Sequence, residues 1–177
     1  MASSNFKDHL GRPIVAVTGM GILTSLGQGL KDNWDALTSG KSGIHKITRF
    51  PTDNLSTRIC GTVDFIEIPK PNSVERSYAF ARETTIEALA QAGLSGDFNG
   101  PLFLAAPPIE PEWSARFELG DRSPPAEKPG DAYDRFMAAL RERPDPEFQE
   151  AALFGAISER LADRFGTRGL PVTLSTA

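Results

Sequence analysis

Few side chains in this sequence have the chemistry of a catalyst. There is one thiol, Cys60, and there are two imidazoles, His9 and His45. Cys60 lies in an apolar run, TRICGTV, where a small buried side chain is the ordinary role of cysteine. A nucleophilic cysteine needs an electropositive setting such as a helix N-terminus, and nothing in the run around Cys60 predicts one. Neither histidine has a carboxylate, Cys or His at ligand spacing, so both are expected in surface or hydrogen-bonding roles. Glu110, Glu112 and Glu118 are scattered as on a solvated face and do not form an acid–base pair.

Two glycine motifs suggest phosphate chemistry, and both lack necessary parts. Gly19 and Gly21 follow an apolar run, but the dinucleotide fingerprint G-x-G-x-x-G needs a glycine where Thr24 stands. SGKS at 39–42 resembles the end of a phosphate loop, yet the required earlier glycine is replaced by Asp35. Read from its own residues, the chain contains no assembled catalytic constellation.

The elements that would position such groups alternate between strand and helix. Residues 14–18 (IVAVT) read as a buried strand, followed by glycines at 19, 21, 27 and 29 that mark sharp turns or close backbone approach. Residues 30–39 carry Leu30, Trp34 and Leu37 on one helical stripe, with Gly40 as terminator. Residues 42–54 read as loop and 57–63 as strand. Residues 74–92 form the clearest helix, with Val74, Tyr78, Ala81, Thr85 and Leu89 on one face and Ile86 beside them, stopped by Gly93. Residues 102–106 (LFLAA) predict a second apolar strand. A Pro-rich excursion covers about 107–130, where proline without a repeat favours an extended surface path. Helices are expected at 131–143 and 147–165, the latter with Leu153, Ile157, Leu161 and Phe165 spaced by four. Gly166 and Gly169 bracket a turn into a last apolar strand from Val172. Residues 1–12 read as a loose arm. This alternation argues for a layered α/β fold.

Three segments resemble the β-ketoacyl-acyl-carrier-protein synthases, the condensing enzymes of the thiolase superfamily. The first is RPIVAVTGMGILTSLGQGLKDNWDALTSGKSGIHKITRF at 12–50, with the family's TGMG strand end, its Thr/Ser-x-Leu-Gly turn, its Trp-bearing helix and its GKSGI loop. The second is VERSYAFARETTIEALAQAGL at 74–94, similar to the helix ending in EAL-x-x-AGL, and the third is RFGTRGLPVTLSTA at 164–177. The resemblance implies a thiolase-like αβαβα layered fold, of which residues 1–177 would be the N-terminal half. It implies a nucleophilic cysteine immediately after Ala177, outside this sequence, and two histidines in the C-terminal half. It further implies Ile109 as an acyl-pocket gate and Thr173, Leu174, Ser175, Thr176 and Ala177 as a dimer contact. The expected activity is decarboxylative condensation of an acyl thioester with malonyl-acyl-carrier protein in fatty-acid or related lipid biosynthesis. On this view the 177 residues alone are inactive, and an acyltransferase activity belongs to the whole protein. The expected partners are acyl carrier protein, the C-terminal half and a second synthase chain, as homodimer or heterodimer. Two regions depart from the family: AAPPIEPEW at 105–113, and FQEAALFGAISERLADRFG at 148–166, which lacks a proline–asparagine segment. They leave open a non-elongating partner subunit of the chain-length-factor type.

Bulk properties narrow the rest. The net charge of −4, from 19 basic and 23 acidic residues, gives no polybasic footprint for nucleic acid. A single cysteine excludes an internal disulfide and a multi-Cys zinc site, and fits a reducing cytoplasmic setting. No apolar run approaches the ~20 residues of a membrane span, and the start lacks a signal-peptide pattern. No cofactor and no metal are expected.

Overall fold

The computed structural model describes residues 6–69, 71–95, 97–109, 131–142 and 153–175, together with Pro144, Pro146 and Gln149. The elements in order are β1 (Leu23–Thr24), β2 (Gly27–Gln28), α1 (Gly29–Thr38), β3 (Ile44–Lys46), β4 (Ile59–Gly61), α2 (Ser73–Gln91), β5 (Phe103–Ala106), α3 (Asp131–Glu142), α4 (Ala156–Phe165) and β6 (Val172–Ser175). The strands pair as two antiparallel ribbons, β1–β2 and β3–β4, and one parallel pair, β5–β6.

The central element is α2. Asn72 caps it by accepting the Glu75 amide at 2.9 Å. The helix ends where the Leu94 amide reaches back to the Leu89 carbonyl around Gly93. The expected stripe is largely the buried one: Val74 is fully buried, and Tyr78, Ala81 and Leu89 pack against the core it shares with Ile157, Leu161 and Phe165 of α4. Ile86 is exposed. On α4 three of the four predicted positions are buried; Leu153 is exposed in a turn that precedes the helix, which begins at Ala156. The expected helical start at 147–152 lies largely outside the described residues. Gly166, at φ 60°, takes the left-handed C-cap conformation that stops α4.

The Gly19–Gly21 turn packs against the flank of α2 at backbone distance. A Cβ at Gly21 would lie 1.9 Å from the Thr84 carbonyl oxygen, and one at Gly19 would lie 2.0 Å from that of Ala88. The turn's amides are held by α2 side chains. Met20 N–H donates to Gln91 Oε1 at 2.6 Å and Ile22 N–H to Glu87 Oε2 at 2.8 Å. The other oxygen of Glu87 accepts Leu30 N–H at 2.8 Å, so one carboxylate also caps α1 from outside its own helix. These glycines therefore permit helix packing, and the amides of Met20 and Ile22 between and beyond them are already engaged.

The TSLG turn has an equally direct explanation. Thr24 Oγ1 accepts the Leu26 amide at 3.0 Å and donates to Asn33 Oδ1, and Asn33 donates to the carbonyls of Gly27 and Gly29 at 2.9 and 2.8 Å. Asn33 thereby fastens the β1–β2 ribbon to α1. This corrects the predicted stripe: the buried residues of α1 are Asn33 and Ala36, while Trp34 and Leu37 are 65% and 63% exposed. A polar side chain with its hydrogen bonds satisfied took the inward face.

Three further expectations change. Residues 14–18 form no strand; Val15 is 90% exposed, and among the described residues no ladder pairs with the run. An apolar run is a strand only where another backbone satisfies it. The presumed loop at 42–54 contains β3, which pairs His45 with Cys60. Within the arm, residues 8–12 are fastened by Asp8, whose carboxylate accepts the Leu10 and Arg12 amides and Arg12 Nε. Beyond Ile109 the Pro-rich stretch lies outside the described residues.

Candidate active-site strand pair

The sequence before β5 and that before β6 run side by side. Phe165 O accepts the Phe98 amide at 2.6 Å, Arg168 N–H donates to Gly100 O at 2.8 Å, and Val172 N–H to Leu102 O at 3.0 Å. The parallel ladder then pairs Phe103 with Val172, Leu104 with Thr173, Ala105 with Leu174 and Ala106 with Ser175. Both strands therefore finish at the same level. In open α/β sheets the carboxyl ends of parallel strands are where reacting groups collect.

The two faces of this pair differ. Leu102, Leu104 and Thr173 turn toward α2 and α4, where the leucines join the core. Phe103, Val172 and Leu174 turn the other way, with Phe103 64% and Leu174 53% exposed. Such alternation, apolar on both sides, is the pattern of a strand intended for cover on both faces. Ile109, three residues past β5, is half-buried and packs against the Val74–Leu161 core. Of the residues expected at the dimer contact, Leu174 and Ser175 are exposed and Thr173 faces inward; Thr176 and Ala177 lie outside the described residues.

Helix α4 is secured against α2 by a bidentate pair. Arg160 donates to Glu75 Oε1 at 2.7 Å and Oε2 at 3.0 Å, and its guanidinium sits 3.9 Å from the Tyr78 ring centroid. The Arg160 hydrogen bonds hold the Glu75 carboxyl below the usual glutamate range and raise Arg160. This pair spans 85 residues, and no local pattern announces it.

The titratable residues singled out by sequence lie elsewhere. His9 is exposed. His45 sits on β3 opposite half-buried Cys60 on β4. Its Nε2 bonds Thr62 Oγ1, Thr62 donates to Asp64, and Asp64 Oδ2 is 3.6 Å from His45 Nε2. Arg49 Nε donates to Asp64 Oδ1 at 2.8 Å and Arg49 Nη2 to Val63 O at 3.0 Å. The Thr62 hydrogen bond, with Arg49 and His45, holds the Asp64 carboxyl below its usual range. A carboxylate thus does accompany His45, brought there by the β3–β4 register and not by sequence spacing. The group is a solvent-facing clasp on the hairpin. Among the described residues, no three His, Cys, Asp or Glu side chains gather as a metal site. No described helix is long and apolar enough to cross a membrane.

Comparison with known proteins supplies the frame for this geometry. Residues 13–101, half of the chain, match the family described as beta-ketoacyl synthase, N-terminal domain. The 3-oxoacyl-[acyl-carrier-protein] synthase 2 of Coxiella burnetii is 33% identical over 94 residues, covering 49% of this chain and 23% of that protein. A putative polyketide beta-ketoacyl synthase 1 of Streptomyces cyaneus is 28% identical over 176 residues, covering 92% of this chain and 39% of its own length. The chain thus spans well under half of these relatives. Among solved structures, the ishigamide ketosynthase/chain length factor superposes with a TM-score of 0.56 at 20% identity, over 90% of this chain and 39% of that one. The ketosynthase of the AntDE:AntF complex, with its acyl-carrier protein, gives the same TM-score and identity over 90% and 37%. The fold is accordingly thiolase-like α/β, and the chain belongs to the beta-ketoacyl synthase family of condensing enzymes.

Proposed function

We propose that this chain is the N-terminal half of a 3-oxoacyl-acyl-carrier-protein synthase, with residues 107–130 as an excursion from it. The observation that carries the reading is the parallel β5–β6 pair, whose carboxyl ends coincide at Ala106 and Ser175. A cysteine following Ala177 would leave this sheet as the nucleophile. Its thiolate would attack the carbonyl of an acyl thioester and expel the carrier thiol. Malonyl-acyl-carrier protein would then lose CO₂, and the resulting carbanion would attack the enzyme-bound thioester. That step releases the cysteine thiolate and a 3-oxoacyl product two carbons longer. A nucleophile at the start of a helix gains thiolate character and oxyanion-stabilising amides from the helix end. The reaction needs no metal or cofactor.

Ile109 is proposed as the gate of the acyl pocket, since it sits just past β5 on the core. The open face carrying Phe103 and Val172 is proposed to be covered by the C-terminal half. The dimer contact is proposed along Thr173–Ala177, through the backbone at Thr173 and the side chains of Leu174 and Ser175. The partners are acyl carrier protein and a second synthase chain, in the cytoplasm. By itself the 1–177 segment is expected to be inactive. The test is to supply the full gene product with an acyl-carrier-protein thioester and malonyl-acyl-carrier protein. A 3-oxoacyl product with matching CO₂ release supports the reading, and its absence overturns it.

A second reading is a non-elongating partner of the chain-length-factor type, serving fatty-acid or polyketide assembly. It is favoured by the departure AAPPIEPEW at 105–113, and by names among the relatives and structural neighbours that include both kinds of subunit. Product formation only after adding a second synthase chain would select it.

A further inference from the structure

We propose that Ser158 and Thr173 are positioning residues that set where the β5–β6 pair lies along α4, and hence where the group following β6 reacts. The inference rests on the condensing-enzyme reading above. The face of α4 around this bond is apolar: Ile157, Leu161 and Phe165 form a core with Val74 that packs on Leu102 and Leu104. Within it Ser158 is only 1% exposed, and its hydroxyl lies 2.8 Å from Gly155 O and 2.7 Å from Thr173 Oγ1.

The direction of these bonds follows from counting protons. The Gly155 carbonyl can only accept, so the single Ser158 proton goes to it. Ser158 oxygen must then accept from Thr173. The result is a directed chain from the strand, through the helix, to the turn that starts the helix. Apolar contacts resist sliding weakly because they carry no direction. A hydrogen bond fails within a few tenths of an ångström to an ångström of displacement. The ladder holds β6 in register with β5, and a slide of the pair along α4 by about 1 Å would break the Thr173 bond. Thr173 pairs with Leu104 in mid-ladder, two residues before Ser175, so the clamp grips the strand close to its carboxyl end.

The test uses the full-length protein and the variants T173V, S158A and T173S. T173V keeps the shape and removes the donor. T173S keeps the donor. Three quantities are measured: kcat, KM for the acyl-carrier-protein thioester, and the pH profile of alkylation of the nucleophilic thiol by iodoacetamide. For T173V and S158A, kcat should fall roughly 10- to 100-fold, as expected for misplacement near 1 Å, with KM within about twofold. Their alkylation profiles should move to higher pH, because a displaced thiol leaves the helix end that favours thiolate. T173S should regain most of the lost rate. If T173V fails to fold, S158A carries the same readouts. Wild-type kcat and alkylation profiles in T173V and S158A, even with lowered thermal stability, would overturn the inference alone. A wild-type protein that neither condenses nor alkylates would overturn it together with the reading on which it rests.

Discussion

Replacing Gly21 by alanine tests the packing that holds the N-terminal motifs to α2. The added methyl would stand 1.9 Å from the Thr84 carbonyl oxygen and 2.8 Å from its carbon, both backbone atoms that cannot rotate away. The turn and the helix must part by about 1.5 Å to restore contact distance. Overpacking of this kind costs about 1–3 kcal/mol. The same separation stretches the bonds from Ile22 and Leu30 to Glu87 and from Met20 to Gln91, all between 2.6 and 2.8 Å. Losing one amide–carboxylate bond adds about 1.5–3 kcal/mol. The expected destabilisation is about 3–5 kcal/mol, a large share of the stability of an ordinary domain. The assay is urea unfolding followed by far-UV circular dichroism. The control is G40A, where φ is +72° but nothing lies within 4 Å of the new methyl. That variant should lose about 1 kcal/mol from backbone strain alone. If G21A loses no more than G40A, the close approach of turn and helix is not what the glycine serves.

Other consequences can be checked on the same protein. E87A should lose about 2–3 kcal/mol, since it leaves two amides without their carboxylate, and E87Q should lose less; equal losses would deny the charge any role. The Glu75–Arg160 pair should contribute about 1 kcal/mol after solvent screening, since both side chains are about one-third exposed. Because the Glu75 carboxyl is held below its usual range, that contribution is complete above the unfolded-state value, about 4.3, and is lost as pH falls through the lower folded value. E75Q should flatten the acid limb of stability against pH, and an unchanged limb would discount the pair. If Phe103 and Leu174 form an open apolar face on residues 1–177 alone, L174E should raise the solubility of that segment. No gain, with the fold retained, would show the face is not what limits it.

The parts most legible in the sequence were those governed by local periodicity. Val74, Tyr78, Ala81 and Leu89 recur at helical spacing, and they line the core side of α2. Ile157, Leu161 and Phe165 did the same for α4, and apolar runs located β5 and β6. Local pattern misleads where a non-local partner decides the outcome. Asn33 is buried because Thr24, Gly27 and Gly29 satisfy its amide, so hydrophobicity pointed to the wrong face of α1. Residues 14–18 have the composition of a strand but no described strand to pair with. β3 was hidden because its three residues gain strand character only opposite residues 59–61. The clasp of His45, Thr62, Asp64 and Arg49 and the bond from Thr173 to Ser158 likewise exist only once elements meet. The family motifs are legible in the linear sequence, and much of what they do proves architectural: Gly19, Gly21, Thr24 and Glu87 assemble the scaffold.

The most direct test is to incubate the full gene product with an acyl-carrier-protein thioester, quench, and map the acylated peptide by mass spectrometry. The expected product is one acyl group in thioester linkage on a cysteine directly following the Val172–Ala177 segment. Acylation at Cys60 or any other position, or a chain that stays unmodified while a partner synthase is labelled, would contradict it.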